Sequence, residues 1–189
     1  MRKLFKYQNG EITIIWNEKP MINNYEYNQY YTEIRNKTIT ISSSFLVGME
    51  LKVHRGGRIC YGLLAAQVKP HNDCDCIKVS ITYTQENSVK YGESGLLNNA
   101  FAYKGLPKEY VLEISKSIKT TIMTKESYPQ CKIAINYAAN CEVGSNPMIF
   151  GIIAETLIKL ICNSSAEKIQ NMDIKTFAEE YIRKINLQY

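Results

Sequence analysis

Two stretches constrain this chain more than any others. Residues 54–70 read HRGGRICYGLLAAQVKP, and residues 131–160 read CKIAINYAANCEVGSNPMIFGIIAETLIKL. In the first, a glycine pair runs directly into an apolar stretch. In the second, a strand-like pattern passes through a polar loop into an amphipathic helix. The helix has clear start signals: Ser145 or Asn146 can cap it, and Pro147 follows at the first position, where its missing N–H would have had no partner. Ile149, Ile152, Ile153, Leu157, Leu160 and Ile161 then give a broad apolar face, with Glu155 and Lys159 as a favourable i,i+4 pair. Loop-then-strand followed by strand-loop-helix describes helices laid against a sheet.

The pattern elsewhere agrees. Residues 11–16 (EITIIW), 37–42, 45–53, 61–68, 77–83 and 132–137 predict strands from their β-branched and alternating apolar positions. Residues 25–34 hold Tyr25, Tyr27, Tyr30 and Tyr31 close together. A strand with aromatic cross-strand pairs explains them, an RNA-stacking surface being the alternative. Residues 84–104 read as loop with short structure. Pro107 opens a helix whose stripe is Val111, Ile114, Ile118 and Ile122, with Lys108, Lys116, Lys119 and Lys125 mostly elsewhere, and Tyr128-Pro129 breaks it. Ser164 with Glu167 reads as a capping box, and residues 173–185 carry a further stripe at Ile174, Phe177, Tyr181 and Ile185. The expected class is α+β with helices on one face of a sheet. Residues 1–163 form the domain, and 164–189 are a helical extension packed on it. Met1 and the capped last helix favour a complete chain.

Hydrophobic residues at 45% and charged ones at 22% suffice for a real core in 189 residues. The net charge of +5 permits an RNA partner without demanding one, because both signs are interspersed. Near the N-terminus the apolar pair Leu4-Phe5 is too short for a secretory signal. No apolar run reaches the roughly 18 residues a membrane span needs; residues 148–162 come nearest and are interrupted by Glu155 and Lys159. A cytoplasmic protein with no membrane partner is expected, and its six cysteines are then expected reduced.

Chemistry-bearing groups are few. Lys52, His54, Arg55 and Arg58 surround Gly56 and Gly57. Freed backbone N–H groups beside guanidinium forks can hold phosphate oxygens; a hairpin turn needing positive φ explains the same residues, and both can hold together. His71, Cys74 and Cys76 are the weak metal candidate. Their Cys-x-Cys spacing is not that of a zinc knuckle, and nothing completes four ligands, so a polar hairpin loop is the better explanation. Cys141 as a nucleophile lacks an identifiable base, His54 and His71 being the two histidines. No catalytic constellation, hence no enzyme, and no cofactor is expected.

Gly56-Gly57-Arg58-x-x-Tyr61-Gly62, the run Gly105-Leu106-Pro107-Lys108-Glu109-Tyr110, the segment from Cys131-Lys132-Ile133 to Met148 and Phe150, and residues 12–20 (ITIIWNEKP) stand in an order that resembles the fourth domain of elongation factor G. The segment from Cys131 is most similar to the tetracycline-resistance ribosomal protection proteins. The resemblance spans residues 11–162, with an insertion at 36–50. It implies a ribosomal protein S5 domain 2-like sheet, with extra N-terminal strands and C-terminal helices. It also implies a translation-related module binding the ribosome or a structured RNA through loop 54–61 and a tip loop at 137–146. Asn140, Cys141, Glu142 and Ser145 belong to that tip. The departures are as informative. No Gly-x4-Gly-Lys-Ser/Thr occurs, so GTP is not expected through a P-loop. Cys141 stands where the family has an imidazole, residues 136–147 hold no Lys or Arg, and residues 164–189 read only as helix where the family continues into a fifth domain. A protein-interaction module that kept the fold and lost RNA binding is the alternative; oligomeric state is not legible.

Overall fold

The computed structural model describes residues 1–7, 10–20, 28–35, 38–55, 57–71, 76–84, 90–91 and 102–162. In chain order the strands are β1 (Arg2–Tyr7), β2 (Gly10–Trp16), β3 (Asn28–Ile34), β4 (Thr38–Thr40), β5 (Phe45–Arg55), β6 (Arg58–Pro70), β7 (Ile77–Tyr83), β8 (Lys90–Tyr91), β9 (Ala102–Lys104) and β10 (Tyr128–Cys141). A 3-10 turn (Lys108–Tyr110) leads into α1 (Val111–Met123), and α2 (Pro147–Cys162) follows β10. The extension at 164–189, Tyr25 and Tyr27 lie outside the described residues.

The main sheet runs β1-β2-β5-β6-β10-β7-β3, with β4 and β9 also pairing β10 and β8 pairing β9. β10 is antiparallel to β6 and parallel to β7. A parallel pair needs a crossover rather than a hairpin, and α1 lies on that connection. Period-two alternation gives the sheet one face bearing Ile14, Met49, Leu51, Leu64, Val68, Val79, Ile81, Ile133 and Ile135, which share a single core with both helices. Val111, Ile114, Ile118 and Ile122 are buried as the stripe of α1. α2 lies over β5 and β6 and against α1, and buries Phe150, Ala154 and Ile158 besides its expected face. The fold is thus α+β with its helices on one face.

The opposite face is also buried in part. Tyr61, Leu63, Ala102, Ala139 and Cys141 make one small cluster there, and Ile15, Leu46 and Ala65 another. Between them Tyr61 Oη donates to Glu50 Oε1 at 2.8 Å, and Glu50 is only 2% exposed. A buried carboxylate needs such a donor, since leaving it unmet costs several kcal/mol, about 1–3 or more.

Three boundaries differ from the sequence expectation. β1 was not anticipated: its side chains are mostly exposed, so it carries no burial signal. It forms as an edge strand along β2, held by the Met1 ammonium donating to the Trp16 carbonyl and pairing with Glu18. β6 extends to Arg58 because β5 pairs it up to the turn, and to Pro70 because β10 pairs Lys69 and Pro70. β10 begins at Tyr128, Pro129 lying in the opening residues of the strand, where proline is tolerated, and it continues to Cys141 instead of ending at Tyr137. The register slips between Ile135 and Tyr137. This bulge leaves one extra residue, Asn136, and flips the phase, so that Ala138 joins the helix-side core and Tyr137 and Ala139 the other face. A strict alternation therefore ends at the bulge although the strand does not. Among the described residues no helix is long and apolar enough to cross a membrane.

Ile118 is fully buried at the centre of the α1 stripe. Ile118→Ala should lower stability by about 2–5 kcal/mol, the range for emptying a core site, read as a lower urea midpoint with unchanged slope.

Candidate nucleic-acid interface

β5 and β6 close a two-residue turn, with Arg55 opposite Arg58. Gly57 sits at φ +79°, a left-handed conformation that glycine adopts without a Cβ penalty. Gly56 and the Arg55 side chain lie outside the described residues. His54 and Arg58 are exposed, and the register pairs His54 with Ile59 and Arg58 with Arg55, so alternation places His54 and Arg58 on opposite faces of the ribbon. Lys52 does not join this tip. It pairs with Tyr61, three positions back from the turn, and its Nζ lies 3.5 Å from Glu11 Oε2 with the side chain 14% exposed.

Because β10 is antiparallel to β6, its C-terminal end arrives beside the start of β6, and the second candidate segment meets the first. The expected tip loop is shorter than its sequence suggested. Asn140 and Cys141 are strand residues, buried and paired with Tyr103 and Ala102 of β9, and Asn140 Nδ2 donates to the Gly105 carbonyl at 3.0 Å. The turn proper is residues 142–146. Gly144 has φ +108°, and a Cβ there would collide with the Ile59 carbonyl oxygen, so the turn lies directly on β6. Ser145 Oγ accepts from the Cys141 N–H at 2.7 Å and donates to the Tyr61 carbonyl at 2.6 Å. Tyr110 Oη donates to the Ser145 carbonyl at 3.1 Å, which brings the start of α1 to the same place. The burial that this contact entails lifts the Tyr110 phenol above its ordinary range, with Glu109 adding to it. The cap of α2 is Asn146, whose Oδ1 accepts the Ile149 N–H at 3.0 Å.

One end of the molecule therefore gathers the hairpin tip, the 142–146 turn and the start of both helices. α2 carries no acidic residue in its first turn, so the positive end of its backbone dipole, equivalent to roughly half a charge, is not neutralised by its own side chains. The exposed side chains include His54, Arg58 and Lys108 against Glu109 and Glu142. Glu142 is held aside: Tyr103 Oη donates to its Oε2 at 3.3 Å. Desolvation, then the Glu142 charge, raise the Tyr103 phenol. The sequence had marked both loops, with Ser145 among the tip residues, but not that its hydroxyl bonds to β6.

The other candidates do not assemble. His71 is buried, Cys74 lies outside the described residues, and Cys76 is disulfide-bonded, a departure from the reduced state expected of it. A cysteine ligates a metal as its thiolate, so the disulfide-bonded Cys76 is not available as the third ligand. Among the described residues no three His, Cys, Asp or Glu side chains are grouped to hold a metal ion. Burial pushes the Cys141 thiol up to about 11, the reverse of what activates a nucleophile. A polar groove of about 360 Å³ between α1 and α2, lined by Glu113, Lys116, Thr120 and Lys159 among others, was not foreseen. No protein-family model matches the chain, and no curated protein matches it.

Burial, with neighbouring Cys162 contributing, pushes Cys131 up to about 12. In the unfolded chain a thiol ionises near about 8.5. Above that pH the unfolded chain sheds a proton the folded protein keeps, so stability falls as pH rises toward about 12. Urea midpoints under reducing conditions should drop between about pH 8 and pH 10.5, and Cys131→Ala should flatten part of that fall.

Proposed function

We propose that the chain is a non-GTPase, RNA-binding module related to the fourth domain of elongation factor G, acting on the ribosome or on a structured RNA. The observation that carries this reading is the convergence of residues 54–61 and 137–146, the two segments that the resemblance implicates, at one end of the sheet. Their junction is the 2.6 Å hydrogen bond from Ser145 to the Tyr61 carbonyl. The element order supports it as well. From β6 onward the order β6, β7, α1, β10, α2, with the short β8 and β9 inserted before α1 and both helices on one face, supports a ribosomal protein S5 domain 2-like reading; β1 and β2 then extend its sheet.

Binding would be electrostatic and directed at phosphates. The hairpin arginines supply charge-assisted donors, and the start of α2 supplies a favourable dipole. Base-specific contacts are not required for this, because phosphate contacts position a protein without reading sequence. A protein-interaction module is the second reading, favoured by the exposure of Val143 at 76% and Leu112 at 71% on elements that meet at Ser145.

Co-sedimentation of the full chain with ribosomes and separated subunits across a salt series distinguishes them. Saturable binding that weakens steeply with salt is expected. Replacing Arg55 and Arg58 together with Ala should weaken it by at least about tenfold and reduce the salt slope by about 2, one for each lost phosphate contact. Absence of saturable binding at low salt, or a double variant that binds like the wild type, overturns the RNA reading.

A further inference from the structure

We propose that the outer edge of β1 is a docking edge for an extended acidic segment of a partner protein, added to the sheet as a further strand. The inference is independent of the RNA-binding reading above. Among the described residues β1 ends the sheet, with a strand on its β2 side only. The Met1 and Trp16 backbones exchange both hydrogen bonds, at 2.7 and 2.8 Å. Bonded and non-bonded pairs alternate along an antiparallel ladder, so Lys3, Phe5 and Tyr7 spend their N–H and C=O groups on β2. Arg2, Leu4 and Lys6 point theirs outward. Alternation also puts these three side chains on one face, where Leu4 is 48% and Lys6 72% exposed. The edge is open to solvent, and each of its outward residues offers a donor and an acceptor to a strand laid beside it.

Charge decides the occupant. β1 carries Arg2, Lys3 and Lys6 and no acidic residue. The carboxylates nearby are already divided: Glu11 lies 3.8 Å from Lys6 and 3.5 Å from Lys52, and Glu18 lies 2.6 Å from Arg2 and 3.2 Å from the Met1 ammonium. Four cations thus share two carboxylates, and the surplus positive charge stands where Arg2 and Lys6 flank Leu4. An antiparallel strand seated here meets a cation opposite two of its side chains and an apolar contact between them. Acidic, apolar, acidic at alternate positions is the complementary pattern. The same charges reject a second copy of the chain. Pairing two β1 strands about Leu4 sets Arg2 of each opposite Lys6 of the other, and like charges directly opposite are destabilising. Lysine on an edge strand often serves such exclusion alone. Here no proline or register shift interrupts the ladder of β1, so its outward backbone groups remain able to pair, and rejection of its own kind goes with acceptance of an acidic strand.

The test titrates the full chain, at about 0.05 M salt to limit screening, with the labelled peptide Thr-Glu-Thr-Val-Thr-Glu-Thr, whose β-branched residues favour an extended backbone. Amide exchange is followed by NMR. Saturable binding is expected, with exchange slowed at Arg2, Leu4 and Lys6 and little changed at Phe5. The same peptide with Lys in place of both Glu should not bind. Lys6→Glu should weaken binding of the glutamate peptide by about threefold or more and admit the lysine peptide. Leu4→Pro removes an N–H that β2 does not use, so the chain should still fold while affinity falls by at least about fivefold. If Leu4→Pro folds poorly, Lys6→Glu carries the comparison. No saturable binding of the glutamate peptide, equal binding of both peptides, or wild-type affinity in Lys6→Glu overturns the proposal. So does slow exchange at Arg2, Leu4 and Lys6 before any peptide is added. Accompanied by concentration-dependent sedimentation, that result puts a second copy on the edge; without it, a segment of the chain itself.

Discussion

β10 satisfies its backbone on both edges, against β6 on one side and against β7 and then β9 on the other, and the rest of the architecture follows from that. A strand between two neighbours has no free edge, and the residues of β10 that face a core, Ile133, Ile135, Ala138 and Ala139, are apolar. Being parallel to β7, β10 can be reached only by a crossover, and α1 covers the sheet as it crosses. Being antiparallel to β6, it delivers its C-terminal end to the hairpin end of the sheet. The meeting of two segments distant in sequence is therefore set by strand direction, before any side chain at the site is considered.

What the two segments form is an edge rather than a finger. Had the strand ended at Tyr137, a flexible loop of polar residues would have projected from the sheet. Instead β9 accompanies β10 to Cys141, and the remaining residues fold down onto β6. The buried Asn140 and the raised thiol of Cys141 remove those two side chains from contact with any partner, leaving the turn to act through Glu142, Val143 and backbone groups. A short turn fixed at both sides loses little entropy on binding, whereas a longer free loop would lose about 1–2 kcal/mol for each residue ordered.

Much of this was legible in the sequence because it depended on local rules. The α1 stripe, the start of α2 at Pro147, the Glu155–Lys159 pair at 2.8 Å and the glycine turn at Gly57 each follow from spacing within a few residues. The missed features depended on partners elsewhere. β1 has no core face and exists because β2 offers an edge. The bulge at Asn136 exists because β6 sets the register, and no pattern within β10 announces it. The part Ser145 plays was hidden for a similar reason. The sequence allowed Ser145 or Asn146 as the cap, and only the arrival of the Tyr61 carbonyl from a distant strand shows that Asn146 caps while Ser145 bonds to β6. Lys52 failed in the opposite way: adjacent to the tip in sequence, it belongs by pairing to Glu11 on the neighbouring strand.

The charge at the converged end bears on which partner it suits. A turn without Lys or Arg argues against RNA if the turn is taken alone. Taken with its neighbours the balance shifts, since Gly144 lies against the Ile59 carbonyl next to the hairpin and Asn146 caps α2 two residues later. The Glu142 carboxylate is drawn toward Tyr103 on β9, away from the hairpin strand. Against this, Val143 and Leu112 are two exposed apolar residues, and scattered apolar residues are normal on a protein surface. A stable protein interface generally buries more than about 1,200 Å² around packed anchors, and two isolated residues supply no such centre. The reading proposed above therefore rests on the charge of the hairpin and the dipole of α2 rather than on an apolar centre.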